Sequence, residues 1–516
     1  MRRVPSTLAG GTAFLAAAAV AVSAAHAETI TASSCEAADV QAAIESAADD
    51  DVVQIPAGEC TWTVPVTIGE VVDWDPITFS SPRITLQGAG MGETVIHVDM
   101  DSSDDALVVK SEPGNPARVT SMTFTGAKNE GRCQRGIDMG GAAEGWRIDH
   151  VQFDYRGVTG TSPGCGISAS GVGVIDHCRF ENNYTSVAAF GDGDASWERP
   201  LALGSCDAVY IEDNTMTNTE LLGDGATDAY GGARYVFRNN QVTNARAGHH
   251  GLDSGGYRSP HSFEIYDNQW EWTDSNTWLT WRSRGGTGVI HGNTITGDVN
   301  DSITFGVVNY RTCCCHLCTN VAPDAYGSSC DPYVPCADPL HTNCGSWGRC
   351  DGQSPIDGNT AGMMGYPCLD QTGRSTDMDD DGVQDLEPLY EWDNTVNGGD
   401  ADVSVNDPWG CADPSMADHI QEGRDFYNDT PRPDYTPCAY PHPLAGGDGG
   451  SGGSAGTGGG GVGASAGSGG ASSTPPSPEE EGDCGCRVGR STSDRAWLWP
   501  AGLGLLWLRL RRRLRR

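Results

Sequence analysis

A short motif returns four times in the middle of the chain, and this repeat constrains the fold more than any other sequence feature. Each copy has an apolar residue, two variable residues, an asparagine, one variable residue and a second apolar residue. The copies begin at Ile211, Phe237, Ile265 and Ile290, and their asparagines are Asn214, Asn240, Asn268 and Asn293. These asparagines are separated by 26, 28 and 25 residues. Weaker copies, in which Val151 and Cys178 replace the asparagine, come before them.

A period of about 25 residues with short apolar strands, turn residues and no long amphipathic helix predicts a solenoid of β-coils. Strands of successive coils would pair in parallel about 4.8 Å apart, so equivalent side chains would stack in columns. We therefore expect an interior apolar column at the first motif position. The asparagine amides should hydrogen-bond from coil to coil at a bend, which satisfies polar groups in the interior.

The N-terminal part of the solenoid has its own signature. Val40, Ala43, Ile44 and Ala47 share one helical face, which predicts a short helix that caps the first coil. Cys35 and Cys60 bracket this unit and are predicted to form a disulfide. The capping helix, the asparagine column and the coil length together resemble the right-handed parallel β-helix superfamily, often called pectate-lyase-like. This resemblance spans roughly residues 35–310 and later coils around 387–444, and it implies an all-β solenoid.

Composition and charge narrow the class of protein. The 516 residues include 70 glycines and 28 prolines, which favours a turn-rich chain over a helical bundle. Lys110 and Lys128 are the only lysines, so a lysine base has two candidates. The formal net charge is −37, and it becomes −47 without residues 1–27 and 487–516. A surface this acidic excludes nucleic-acid binding.

Both ends of the chain read as processing signals. Residues 1–27 have two arginines, an apolar run and the ending Ala25-His26-Ala27, which predicts a signal peptide; a membrane anchor is the alternative. Residues 446–483 are a flexible Gly/Ser-rich linker, and residues 484–516 contain Cys484-Gly485-Cys486, a short apolar segment and an arginine cluster. This tail resembles the MYXO-CTERM sorting tail of myxobacterial surface proteins. The resemblance implies a sorting protease, transient membrane contact and a final position at the cell surface; a plain membrane anchor is the alternative.

The cysteines help to predict how the chain between its two ends is divided into segments. The sequence has 19 cysteines, and an exported chain is expected to form disulfides. We expect a β-helix over residues 28–312, a Cys-rich insertion over 313–370, and a calcium-loop segment with final coils over 371–445. The insertion is interpreted as a disulfide-stapled loop. A zinc site formed by Cys315 and Cys318 with His316 or His341 is the alternative.

One band of successive coils offers candidate catalytic residues. In chain order they are Asp224, Asp228, His249, His250, Asp253, Arg282 and Arg284, with Arg258 and His261 on a connecting segment. For a polysaccharide lyase, His249 or His250 would be the base, and Arg282 or Arg284 would neutralise a uronate carboxylate. For a glycoside hydrolase, Asp224 and Asp253 would be the acid and base. The alternative is that these residues are only the polar exterior of the solenoid.

Tryptophans add a carbohydrate-binding hypothesis. Trp278 and Trp281 are predicted to stack on sugar rings, although alternation along a strand places some of the neighbouring tryptophans, Trp270 and Trp272 among them, in the core. We therefore predict a protein that acts on or binds polysaccharide, with a lyase ahead of a hydrolase. Its competitor is a non-catalytic surface module for glycan binding or adhesion.

A second motif predicts a structural calcium ion. Residues 377–385 follow the pattern D-x-D-x-D-G-x-x-D, in which oxygen ligands flank a sharp glycine turn. The predicted ligands are Asp377, Asp379, Asp381 and Asp385 with the carbonyl oxygen of Val383. Pro388 stands where an EF-hand has its bidentate glutamate, so the loop resembles those of thrombospondin type 3 or dockerin repeats. A solvated acidic turn is the alternative.

Overall fold

The computed structural model describes most of the predicted solenoid. The described residues are 27–74, 77–100, 105–112, 114–126, 135–141, 144–156, 164–251, 258–276, 279–299, 304–307, 372–375, 385–406 and 420–446. The Cys-rich insertion, both predicted sorting segments, Asp253 and Trp278 lie outside these residues. So do the calcium-loop residues except Asp385.

The described chain is built almost entirely of short strands. The two helices are Ala37–Ser46 (α1) and Asp194–Trp197 (α2). The strands of the N-terminal coils are Thr29–Thr31 (β1), Val52–Gln54 (β2), Gly58–Trp62 (β3), Val66–Ile68 (β4), Glu70–Trp74 (β5), Ile77–Ser80 (β6), Thr85–Gln87 (β7), Thr94–Val98 (β8), Leu107–Ser111 (β9), Arg118–Thr125 (β10), Arg135–Gly141 (β11) and Glu144–Asp154 (β12). The strands of the central coils are Cys165–Ser170 (β13), Val172–Asp176 (β14), Arg179–Glu181 (β15), Thr185–Phe190 (β16), Val209–Glu212 (β17), Thr215–Thr217 (β18), Gly225–Tyr230 (β19), Arg234–Arg238 (β20), Gln241–Thr243 (β21), Arg246–His249 (β22), Ser262–Tyr266 (β23), Gln269–Asn276 (β24), Trp281–Ser283 (β25), Thr287–His291 (β26), Thr294–Val299 (β27) and Phe305–Val307 (β28). The last strands are Leu389–Trp392 (β29), Thr395–Val396 (β30), Gly399–Asp400 (β31), Val403–Val405 (β32) and Phe426–Tyr427 (β33).

Each central coil contributes three strands to two parallel sheets. β17 and β18, for example, join a 21-stranded sheet, and β19 joins a ten-stranded sheet. Every strand of the ten-stranded sheet pairs in parallel with its equivalent one coil away. Antiparallel strand pairing within the described residues is limited to β5 with β6 and β30 with β31. The chain is therefore a parallel β-helix, which confirms the predicted fold class.

The first motif position forms the predicted interior column. Ile211, Phe237, Ile265 and Ile290 are paired in register from coil to coil, and each is completely buried. Sheet pleating places every second side chain of these strands inside, so one apolar residue per coil extends a continuous core. The next coil departs from this rule, because Glu391 pairs with Ile290 at the same position.

The asparagine column is present and longer than predicted. The Asn240 side-chain oxygen accepts from the backbone N–H and the side-chain amide of Asn214, at 3.0 and 3.1 Å. The Asn240 amide donates in turn to the Ile211 carbonyl, at 2.9 Å, and to Asn268, at 3.0 Å. The same pattern continues through Asn293 to a fifth member, Asn394. The residue before Asn214, Asn240 and Asn268 has a positive φ, and Asp or Asn occupies it because these residues tolerate that conformation.

The N-terminal end is closed as expected. α1 buries Ala37, Val40, Ala43 and Ile44 against the first strands. Cys35 and Cys60 form the predicted disulfide. Of the described helices, neither has the length and apolar character needed to cross a membrane.

A C-terminal segment, residues 432–446, packs on the outer face of the 21-stranded sheet; we call it the strap. A disulfide joins Cys438 in the strap to Cys206. The guanidinium of Arg238 donates to the carbonyls of Cys438 and Ala439, at 2.8 and 2.9 Å. Glu212 pairs with Arg238 and accepts from the backbone N–H of His442, at 2.7 Å. The strap thereby buries charged side chains that a bare solenoid would leave on its surface.

Candidate active site

The two predicted base candidates, His249 and His250, lie on opposite faces of the ten-stranded sheet. β22 pairs with β19 so that Ala229 faces His249 and Asp228 faces Gly248. The His249 imidazole is completely buried, and its Nε2 lies 2.6 Å from the Tyr235 hydroxyl. Because alternate residues point to opposite faces, His250 takes the outer side.

His249 is therefore wrong as a candidate base. Its ring packs against Phe263 and Trp281 in the interior. Burial and the charge of Arg282 lower the pKa of His249 to about 3, which keeps the imidazole neutral. A side chain enclosed in this way supports the core and does not reach a substrate.

His250 is held by a carboxylate on the outer face. Its Nδ1 lies 2.6 Å from Oδ1 of Asp228, and 19% of its side chain is exposed. An imidazole that donates its Nδ1–H to a carboxylate keeps the lone pair of its Nε2 available for a proton. His250 thus has the arrangement of a general base.

A second carboxylate lies beside this pair. Oδ1 of Asp224 is 2.8 Å from the Arg282 guanidinium and 3.7 Å from that of Arg246. Although burial raises it, the charges of Arg282 and Arg246 lower the pKa of Asp224 to about 2. An ionised Asp224 suits the base of a hydrolase pair better than its acid, and the predicted pairing with Asp253 stays a prediction.

Gly248 makes this arrangement possible. A Cβ atom at this position would lie 2.9 Å from Cγ of Asp224 and 3.0 Å from its Oδ1. The absent side chain lets the carboxylate lie directly on the sheet, between the arginines. Sequence inspection did not single out Gly248 or Arg246.

We call the outer-face group the Asp224 cluster. Its members are Asp224, Asp228, Arg246, His250, Arg282 and Arg284. Three guanidinium groups face two carboxylates, so the described part of the cluster carries one surplus positive charge while His250 is neutral. Such a surplus suits an anionic ligand group.

The cluster could also hold a metal ion by composition. Ligand atoms of Asp224, Asp228 and His250 all lie within 4.8 Å of one another. Arg246 and Arg282 already neutralise Asp224, however, and their charges oppose the approach of a cation. We therefore interpret the group as an acid–base and anion-binding site.

Aromatic side chains continue the outer face next to the cluster. The Tyr230 ring lies 6.3 Å from that of His250 and 4.4 Å from that of Phe190, edge to face in both cases. Phe190 and Tyr230 are paired in register one coil apart. Two aromatic residues at equivalent positions of successive strands are the signal that could have revealed them in the sequence.

Arg258 and His261 form a different group. Both are buried against Trp197 of α2, with the guanidinium carbon 4.8 Å and the imidazole 4.8 Å from its ring centres. Burial and the charge of Arg234 lower the pKa of His261 to about 3. Their contacts with Trp197 support the turn that carries α2, and their role in substrate binding stays a prediction.

The tryptophan prediction also needs correction. Trp281 is completely buried, and it contacts Phe263, His249 and Phe305 inside the solenoid. Trp270 and Trp272 are buried as well. The prediction that Trp281 stacks on sugar is wrong, because its ring points into the core. Trp278 and Asp253 lie outside the described residues, and Asp385 is the one calcium-loop ligand within them.

Comparisons with known proteins assign no family to the chain. No protein-family model matches it, and no curated protein does. A solved structure of an alginate lyase from Paenibacillus sp. str. FPU-7 is similar at 14% identity and a TM-score of 0.30, over 53% of this chain and 99% of that chain. ORF18 of Geobacillus virus E2 is similar at 14% identity and a TM-score of 0.25, over 55% of this chain and 57% of that chain. The fold assignment therefore stands on the strand pairing described above.

Proposed function

We propose that the protein is a polysaccharide lyase that cleaves a uronate-containing polymer at the Asp224 cluster. The observation that carries this proposal is the His250–Asp228 pair, at 2.6 Å, beside arginines on the outer face of the ten-stranded sheet. The surplus positive charge of the cluster would bind one uronate carboxylate, even though the whole chain carries a net negative charge.

The proposed reaction is a β-elimination. Arginine from the cluster neutralises the uronate carboxylate and acidifies the C5 proton beside it. Nε2 of His250 removes that proton, the C5–H electron pair forms a C4=C5 double bond, and the C4–O glycosidic bond breaks. The leaving oxygen takes a proton from water or from the Tyr230 hydroxyl. The products are one chain with a new reducing end and one chain that ends in an unsaturated uronate.

The test is a screen of the purified full chain against several polyuronates, with calcium present. Unsaturated uronate ends absorb in the ultraviolet, whereas hydrolysis creates no such absorbance. We expect new absorbance with at least one polyuronate and its loss, by about 100-fold or more, in His250→Ala. His97→Ala is the matched control, since His97 is a half-exposed histidine near Glu59 in another coil.

A non-catalytic glycan-binding or adhesion module is the second candidate. The Gly/Ser-rich linker and the sorting-type tail favour it, because a tethered surface module needs no chemistry. Retention of a polyuronate without new absorbance would reject the lyase and support this module. If no polyuronate is retained and none gives new absorbance, the lyase and the binding module are both rejected.

Calcium and export complete the proposal. We propose that residues 377–385 bind a structural calcium ion, since their spacing is that of an oxygen-ligand loop. Calorimetric titration with calcium should lose one binding event in Asp379→Ala.

Mass spectrometry of protein from the native cell surface should find an N-terminus at Glu28 and a C-terminus near Cys484 or Cys486, as export and sorting require. Uncut ends would reject the export and sorting proposal.

A further inference from the structure

Two histidines on the outer face of the 21-stranded sheet lie directly above one another. His150 follows Asp149 and His177 follows Asp176, and these aspartates pair in register between β12 and β14. The two imidazole rings are parallel within 4° with their centres 5.2 Å apart. Neither histidine is part of the Asp224 cluster, which lies on the other sheet.

Both rings are oriented by the same kind of hydrogen bond to a buried carboxylate. Nδ1 of each histidine lies 2.8 Å from Oδ2 of the preceding aspartate. Asp149 and Asp176 are completely buried, whereas 46% of the His150 side chain and 50% of the His177 side chain are exposed. Each Nδ1–H therefore points into the protein, and each Nε2 lone pair is directed away from that carboxylate.

Arginines hold both carboxylates in place. Arg118 binds both oxygens of Asp149, at 2.7 and 2.8 Å, and Arg147 binds both oxygens of Asp176, at 2.9 and 2.8 Å. A carboxylate bonded to the far nitrogen of an imidazole fixes its tautomer and increases its basicity, which is the usual support of histidine metal ligands.

We propose that His150 and His177 chelate one divalent transition-metal ion, of the class that prefers imidazole, through their Nε2 atoms. Imidazole ligands suit Zn²⁺, Cu²⁺ and Ni²⁺. The parallel rings direct their Nε2 lone pairs side by side, so both rings need to turn toward each other before the two nitrogens can each lie about 2.1 Å from one ion. Half-exposed rings have room for this motion. Ser121 and Asp213 occupy the same turn position one coil before and one coil after the pair. Asp213 already accepts a hydrogen bond from the Tyr440 hydroxyl, at 2.6 Å, so water would complete the shell.

The test titrates the full chain with Ni²⁺ by calorimetry and compares variants. Because chelation makes the second contact intramolecular, His150→Ala and His177→Ala should each weaken one binding event by about 100-fold or more. The double variant should lose no more Ni²⁺ affinity at this site than either single variant. His97→Ala is the control, since 45% of its side chain is exposed and it should leave Ni²⁺ binding unchanged.

Electron paramagnetic resonance with Cu²⁺ gives a readout that a purely structural role would not move. The wild-type chain should show two equivalent nitrogen ligands, and each single variant should lose that signal while its melting temperature stays the same. The proposal is overturned if the single variants bind Ni²⁺ like the wild type, if their losses add in the double variant, or if His97→Ala loses the same event. Metal bound elsewhere in the chain is common to all variants and cancels in the comparison.

Discussion

At the scale of single residues, Gly248 determines how closely Asp224 approaches the ten-stranded sheet. A Cβ atom there would push the carboxylate away from Arg282, because it would lie 2.9 Å from Cγ of Asp224. We expect Gly248→Ala to fold, to lose about 1–3 kcal/mol of stability, and to lose at least tenfold in the proposed lyase activity. Thermal unfolding and the ultraviolet assay check this. Gly399→Ala is the control, because its Cβ would meet only the Val396 carbonyl oxygen, at 3.6 Å; equal effects in both variants would contradict the steric account.

Glu391 is the second residue with a measurable consequence. It replaces the isoleucine of the interior column, and burial raises the pKa of its carboxyl to about 7. A carboxyl with a raised folded-state pKa stabilises the fold fully below its unfolded value of about 4.5, and this stability is lost as pH rises to about 7. The loss is on the order of 3 kcal/mol. Glu391→Ile should therefore be more stable than wild type at pH 8 and show a flatter denaturation profile between pH 4.5 and 7; a profile as steep as that of the wild type would contradict this account.

At the scale of the repeated element, the asparagine ladder couples one coil to the next. In Asn240→Ala the backbone N–H of Asn214 and the carbonyl of Ile211 would lose their buried partner. Each unsatisfied buried group costs about 1–3 kcal/mol, so we expect a loss of about 2–5 kcal/mol in the free energy of unfolding. Gln241→Ala, one position on and exposed, should change it by less than about 0.5 kcal/mol. A denaturation midpoint in Asn240→Ala that matches Gln241→Ala would show that the ladder does not hold the coils together.

The same element shows what the sequence could predict and what it could not. The ladder and the interior column were predictable because identical residues at a fixed period must stack in a solenoid. The faces of His249 and His250 were not, because neighbouring strand residues point in opposite directions and a one-residue error in register exchanges them. Aligning Ala229 with His249 would have supplied the missing register. Arg246 and the support of His250 by Asp228 depend on side-chain contacts between coils, which no linear pattern records.

At the scale of the whole molecule, the strap joins distant parts of the chain. Cys206 and Cys438 are 232 residues apart in sequence, and the strap contacts three successive coils through Glu212, Arg238 and Glu264. Arg238 is fully buried although it points away from the core, because strap carbonyls cover it. A buried ion pair of this kind depends on the geometry that surrounds it, since its desolvation is otherwise uncompensated.

The disulfide is the covalent part of this arrangement, and removing it separates its role from that of the polar contacts. In the Cys206→Ala, Cys438→Ala double variant we expect stability to fall by about 2–5 kcal/mol, because a long loop is no longer closed in the unfolded chain. Local opening should follow as well: limited proteolysis with mass spectrometry should detect cleavage within residues 432–446 before the coils unfold. The control is the double variant of Cys35 and Cys60, whose disulfide spans 25 residues near α1 and does not touch the strap. It should leave the strap protected. If the strap resists proteolysis equally in both double variants, then Arg238, Glu212 and Glu264 hold it without covalent help, and the burial of Arg238 is sufficient to fix the strap on the sheet.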